Sequence, residues 1–323
     1  MNRRRWIMAA SLLLIGITGA AAQDYPTRPV TIIVPYAAGG GTDLLARMVG
    51  QKLERRLGKS FVIENRPGGG TVIAALAVAK AVPDGYTLLM GTSTPLAINA
   101  TLHKKLAYDP ATDFVPLALV ANVPFVLVVN PALPVQSVSD LVNLAKQKPG
   151  SLSYGPSGPG SPHHLYAELL KSMTGIEMIH IPYKGSVPAL TDLVAGHIPL
   201  MFVDLAPVQP LIKEAKVRAL GVSSAVRVAT LPEVAPIAEV GVPGFEAVAW
   251  QMLVAPANTP KPIVARLHRE LKLVLALPEI KRQIAEIGMI AVDSPPPDEL
   301  ARYIKTEIVR WGEVVKKSGA SVE

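Results

Sequence analysis

The sequence predicts an α/β protein of two lobes, each a parallel or mixed sheet flanked by helices, with a cleft between them. Three observations carry that expectation. Short β-branched runs alternate with helix-period segments and Gly/Pro turns, the pattern of βαβ units on a parallel sheet. The alternation begins twice, at Val30 and again at Ser137. Each set sends a strand into a glycine-rich turn directly before a helix.

In order, 30–34 is a buried first strand, and 44–57 is a helix with Leu45, Met48, Val49, Leu53 and Leu57 on one face. A strand over 61–64, a helix over 71–82 and a strand over 86–90 follow. Two apolar strands, 115–120 and 125–129, are separated by Asn122-Val123-Pro124, where the first crossing between lobes is expected. The second set runs helix to 148, strand 152–154, helix 162–173, strand 177–181, helix 187–195, and strands 198–203 and 218–222. A return strand over 250–255 and helices near 262–276, 278–287 and 298–317 complete the chain. The division is thus 23–123 plus 249–323 for lobe 1 and 124–248 for lobe 2.

Residues 1–22 read as a signal peptide. Arg3, Arg4 and Arg5 precede an apolar run over 7–18, and Ala20-Ala21-Ala22 supplies the small residues for cleavage before Gln23. The run is shorter than the roughly 20 residues of a membrane-spanning helix. With no cysteine, disulfides, thiolate metal sites, a cysteine nucleophile and a lipid-modified cysteine are all excluded. The expected product is a free periplasmic monomer. The net charge of +7 is scattered and aromatics make up 5%, a poor match to a nucleic-acid surface.

The first turn, Pro35-Tyr36-Ala37-Ala38-Gly39-Gly40-Gly41-Thr42-Asp43, and the second, Gly155-Pro156-Ser157-Gly158-Pro159-Gly160-Ser161-Pro162, both lie at carboxyl ends of strands. Glycines let backbone N–H groups approach a ligand, and a helix N-terminus adds unpaired donors at its positive dipole end. Open α/β sheets bind ligands at such places. Asp43 reads as a cap near the helix start, Ser161 as an N-cap and Pro162 as the first helical residue. Other motifs fail. Residues 155–159 lack the last glycine of G-x-S-x-G. Leu53 stands where the leading glycine of a P-loop belongs before Gly58-Lys59-Ser60. His163 and His164 are adjacent, so they point about 100° apart and make no metal face. His103, His180, His197 and His268 read as structural or surface. No cofactor or metal is expected.

Beyond the two turns, the chain shows Tyr25-Pro26-Thr27-Arg28-Pro29-Val30, Glu64-Asn65-Arg66-Pro67-Gly68-Gly69, Tyr108-Asp109-Pro110, His164-Leu165, Pro182-Tyr183-Lys184-Gly185, Leu231-Pro232-Glu233, Glu239-Val240-Gly241, and Glu307 with Trp311. In this order it resembles the substrate-binding components of tripartite tricarboxylate transporters, the Bug or TctC-type family. The resemblance implies a type II periplasmic-binding-protein fold and a receptor, not an enzyme, for a small carboxylate: a di- or tricarboxylate, an acidic amino acid or an aromatic acid. It implies membrane permease subunits as partners; a sensor kinase is the alternative. By position it places Tyr36, Ala37, Ala38 and Gly39 on one side of the ligand and Ser157, Gly158, Gly160 and Ser161 on the other. Thr92, Ser93 and Thr94 would line the cleft. Asp204, at a strand end, would either meet an ammonium or hydroxyl on the ligand or cap the next helix. Gly70-Thr71 departs from the family's usual small residues in a way that would alter pocket shape. A competing reading makes Ser157 or Ser161 a hydrolytic nucleophile with His164 as base, but no third group to orient that base is evident.

Overall fold

The computed structural model describes residues 25–156, 160–183 and 185–322. The expected signal peptide, and Ser157 and Gly158 of the second turn, lie outside the described residues. Strand β1 (Val30–Val34) pairs in parallel with β2 (Phe61–Asn65) and β3 (Thr87–Thr92). Helices α1 (Gly41–Leu57) and α2 (Val72–Ala79) make the crossovers. α1 buries Leu45, Val49 and Leu53 and ends at Gly58, whose φ of 71° suits a residue without Cβ. A wide helical turn, Thr94–Ile98, leads into the short α3 (Asn99–Leu102).

Strand β4 (Phe114–Val129) departs from the expectation of two strands, because Asn122, Val123 and Pro124 pair with Trp250, Ala249 and Val248 and carry the strand straight through. Its first part lies antiparallel to β9 (Val248–Pro256) and β10 (Ile290–Ala291); its last part pairs with β7 (Leu200–Asp204) and β8 (Arg218–Val222). β5 (Leu152–Tyr154) and β6 (Met178–His180) extend that side in parallel with β7. The spatial order is β2-β1-β3-β9-β4-β7-β5-β6, with β8 and β10 also on β4. One sheet therefore passes through both halves. Pro116 sits beside a register shift against β9 and Pro124 at the end of that ladder, where a missing N–H costs least.

Around the second half lie α4 (Val138–Gln147), α5 (Pro162–Thr174), α6 (Ser186–Ala195) and α7 (Leu205–Lys213); α8 (Lys261–Leu275), α9 (Pro278–Glu286) and α10 (Pro297–Ser318) return to the first. At the centre, Glu307 of α10, 3% exposed, accepts hydrogen bonds from the indoles of Trp250 and Trp311, each at 2.9 Å. Trp311 stacks on Tyr166 of α5 at 5.5 Å, joining helices from the two halves. Among the described residues no helix is long and apolar enough to cross a membrane.

Candidate functional site

The first turn leaves β1 with Ala37, Ala38 and Gly39 exposed and Tyr36 half-buried. Gly39 has φ +85°, and nothing stands where its Cβ would be. With Gly40 as N-cap, the third helical residue is Asp43, whose carboxylate reaches back to accept the Gly39 N–H at 2.9 Å. Arg47 Nε and Asn65 Nδ2 donate to the same carboxylate at 3.0 Å, and Asn65 Nδ2 also donates to the Tyr36 carbonyl. Burial works to raise the Asp43 pKa, but the hydrogen bonds from Arg47, Gly39 and Asn65 outweigh it and hold the carboxyl below its ordinary range. Asp43, expected as a cap, instead ties the preceding turn to α1 through Gly39, and no side chain caps the helix N–H groups. Its acceptors are consumed within the turn, and the first N–H groups of α1 remain without intrahelical acceptors.

The Tyr36 hydroxyl lies 3.0 Å from Thr92 Oγ1. Burial raises its pKa; hydrogen bonding to Thr92 and Thr94 offsets part of that, and the charge of Asp204 adds to it. Tyr36, Thr92 and Thr94 thus form one hydrogen-bonded cluster, within reach of the charge of Asp204 at Tyr36. Ser93 and Thr92 are both buried, 1% and 6% exposed.

Asp204 ends β7 at the N-cap position of α7, yet its side chain makes no capping bond. Its Oδ2 lies 3.4 Å from His163 Nε2, and the carboxylate is 39% exposed. Asp204 therefore does not cap α7 through its side chain. His163, packed edge-on against Phe125 at 4.9 Å, was not anticipated beside this site. Its place as second residue of a helix that follows a glycine turn was the available signal.

Ser161 caps α5, accepting the His164 N–H at 3.4 Å, with Pro162 first in the helix. Gly160 has φ +70°, and a Cβ there would collide with Leu102. Its N–H donates to His164 Nδ1 at 3.1 Å, so this amide is held by the first turn of the helix. With Nδ1 an acceptor for a backbone amide, His164 has no geometry for taking a proton from Ser161. His197 is exposed beside Asp192, and His268 lies 2.8 Å from the Leu117 carbonyl; both are structural or surface groups, as expected. Among the described residues no cluster of His, Asp and Glu could hold a metal ion.

Both glycine turns lie at carboxyl ends of parallel strands of an α/β sheet, where such sheets bind their ligands, and proteins of similar fold are periplasmic binding proteins rather than enzymes. Over residues 45–320 the chain matches the Tripartite tricarboxylate transporter family receptor, TctC, and it belongs to that family of periplasmic binding proteins. BugT of Bordetella pertussis is 36% identical over 325 residues, covering 100% of this chain and 99% of BugT. A protein of R. palustris solved with adipate superposes with a TM-score of 0.81 at 42% identity, covering 92% of this chain and 99% of its own. MatC of Rhodopseudomonas palustris, solved with bound malate, gives a TM-score of 0.75 at 33% identity, covering 90% of this chain and 100% of its own.

Proposed function

We propose that the protein captures a small carboxylate in the periplasm and presents it to the membrane permease subunits of a tripartite tricarboxylate transporter. The observation that carries this reading is the pair of glycine turns, each opening onto the N-terminus of a long helix, α1 or α5. Tyr36, Ala37, Ala38 and Gly39 would grip the ligand from one lobe, and Ser157, Gly158, Gly160 and Ser161 from the other. Thr92, Ser93 and Thr94 would line the space between, and Asp204 would meet a hydroxyl or ammonium at the far end. The change of partners along β4, from β9 to β7 and β8, supports a lobe boundary near residue 124. Cleavage before Gln23 would release the mature chain. The relatives solved with adipate and malate support the carboxylate class.

Neither turn contains Lys or Arg. Recognition would then rest on amides, hydroxyls and bridging water, with each helix N-terminus contributing about 0.3–2 kcal/mol towards a negative charge. Hydrogen bonds to a charged acceptor are worth about 1.5–3 kcal/mol against about 1 for a neutral one. Replacing the gripped carboxylate by its amide should therefore cost at least ~3 kcal/mol, roughly a hundredfold in affinity. Calorimetric titration of adipate, malate, tricarboxylates, acidic amino acids and nicotinate, each hit paired with its amide, tests this. Equal affinity for acid and amide would overturn the reading.

A further inference from the structure

The two glycine turns are closed by the same positional device. In the first, the third residue of α1 reaches back to the N–H of the glycine preceding the cap: Asp43 to Gly39, 2.9 Å. In the second, the third residue of α5 does so: His164 to Gly160, 3.1 Å. Both glycines have positive φ, +85° and +70°. A side chain at this position reaching back to a pre-helical N–H is what a capping box achieves with Glu or Gln. Here the first turn uses a carboxylate and the second an imidazole.

We propose that His164 is the positioning residue of the second turn, its unprotonated Nδ1 holding the Gly160 N–H so that Gly160 and Ser161 enter α5 in the geometry that binds ligand. The proposal rests on the reading of that turn as part of the carboxylate grip. Only an imidazole with a free Nδ1 lone pair can accept this bond, which fixes the neutral tautomer with its proton on Nε2.

The surroundings favour that form. The His164 ring stacks on His180 of β6 at 4.4 Å and on Tyr154 of β5 at 6.2 Å. On α5 itself, Glu168 lies 3.9 Å from Nε2, and Lys171 is bound to the same carboxylate at 2.7 Å. Tyr154 donates to Glu168 as well, at 2.5 Å, so the carboxylate is shared by three groups. The remaining wall is Met178 of β6, Ser318 at the end of α10, and Gly319, Ala320 and Ser321 beyond it, around a cavity of about 390 Å³. Burial, with His180, lowers the His164 pKa to about 4; Glu168 opposes this and Lys171 adds to it. The acceptor is thus intact at neutral pH and is converted to a donor in acid, where it would face the Gly160 N–H donor to donor.

The test pairs two substitutions. His164→Asn keeps an acceptor oxygen near Nδ1 but does not titrate; His164→Leu removes the acceptor. With adipate and malate as probes at pH 7, His164→Asn should bind within about threefold of wild type, and His164→Leu should lose tenfold or more. The Gly160 amide resonance should move with the imidazole near pH 4 in wild type and stay still in His164→Asn. That resonance reads the unsubstituted protein, so it decides the matter even if the leucine variant fails to fold. Wild-type binding with equal affinity in His164→Leu, or a Gly160 amide blind to His164 protonation, would overturn the proposal. Absence of binding by wild type to any carboxylate would end the ligand reading and this role with it.

Discussion

Removing the Asp43 carboxylate should destabilise the protein by about 3 kcal/mol and loosen the first glycine turn. The side chain is 2% exposed and accepts from Gly39 N–H, Arg47 and Asn65. A hydrogen bond to a charged acceptor contributes about 1.5–3 kcal/mol, and the donor left behind bears its own desolvation cost. Arg47 is 51% exposed and rehydrates freely, so its share is discounted to under about 1 kcal/mol. Gly39 and Asn65 carry the rest. Urea unfolding followed by circular dichroism at pH 7 should give a loss near 3 kcal/mol for Asp43→Ala and under 1 for Arg47→Ala. The pH dependence has a definite sign. A carboxyl with a lowered folded pKa contributes stability above its unfolded value near 3.8, and this is lost as pH falls through the lower folded value. Asp43→Asn should abolish that limb. A loss below 1 kcal/mol, or one equal to that of Arg47→Ala, would refute the claim that this carboxylate holds the turn.

Gly160→Ala should cost about 2–4 kcal/mol, from a left-handed backbone and a Cβ driven into Leu102; Gly39→Ala, with the same sign of φ and open space, should cost only about 1–2. Equal losses in urea melts would contradict the close approach at Gly160. Asp204→Asn should strengthen binding of dicarboxylates and weaken binding of amino acids in calorimetric titration, because it removes a negative charge while keeping an acceptor; unchanged preference would remove Asp204 from the site. His164, with its pKa depressed from 6.5 to about 4, makes the unfolded chain bind the extra proton between those values. Stability should therefore fall as pH drops through that window, by at most about 3 kcal/mol, and His164→Asn should flatten the slope.

The strands read from the sequence lie where compact β-branched runs announce them, and β1, β5 and β8 begin and end as expected. Local preference divides strand β4 in two, because Pro124 and Asn122 are turn residues. In place, cross-strand partners on β9 override that preference. Helix α7 and the turn into α3 carry Pro207, Pro210 and Pro95, which mask a helical period that tertiary packing supports. The two turns were visible as glycine-rich strand ends. What each side chain does there was not. The approach of His163 to Asp204 joins residues far apart in sequence, and the bond from the Gly160 amide to His164, though local, depends on a ring orientation that no residue pattern encodes.

Strand β4 also imposes an order on assembly. It is sixteen residues long, without a charge, and β9, its partner for most of that length, is encoded on the order of a hundred residues later. Until β9 arrives, a newly made chain exposes a ribbon able to pair with its own copies, since uncharged runs of high β-propensity are the raw material of intermolecular zippers. Pro116 and Pro124 interrupt that ribbon with two residues that have no N–H to donate to a cross-chain ladder. In the finished molecule each stands where the ladder to β9 already shifts or ends, so the interruption costs the native sheet little. Replacing either proline by valine would restore an N–H donor to the unpaired ribbon while making the native strand slightly more regular.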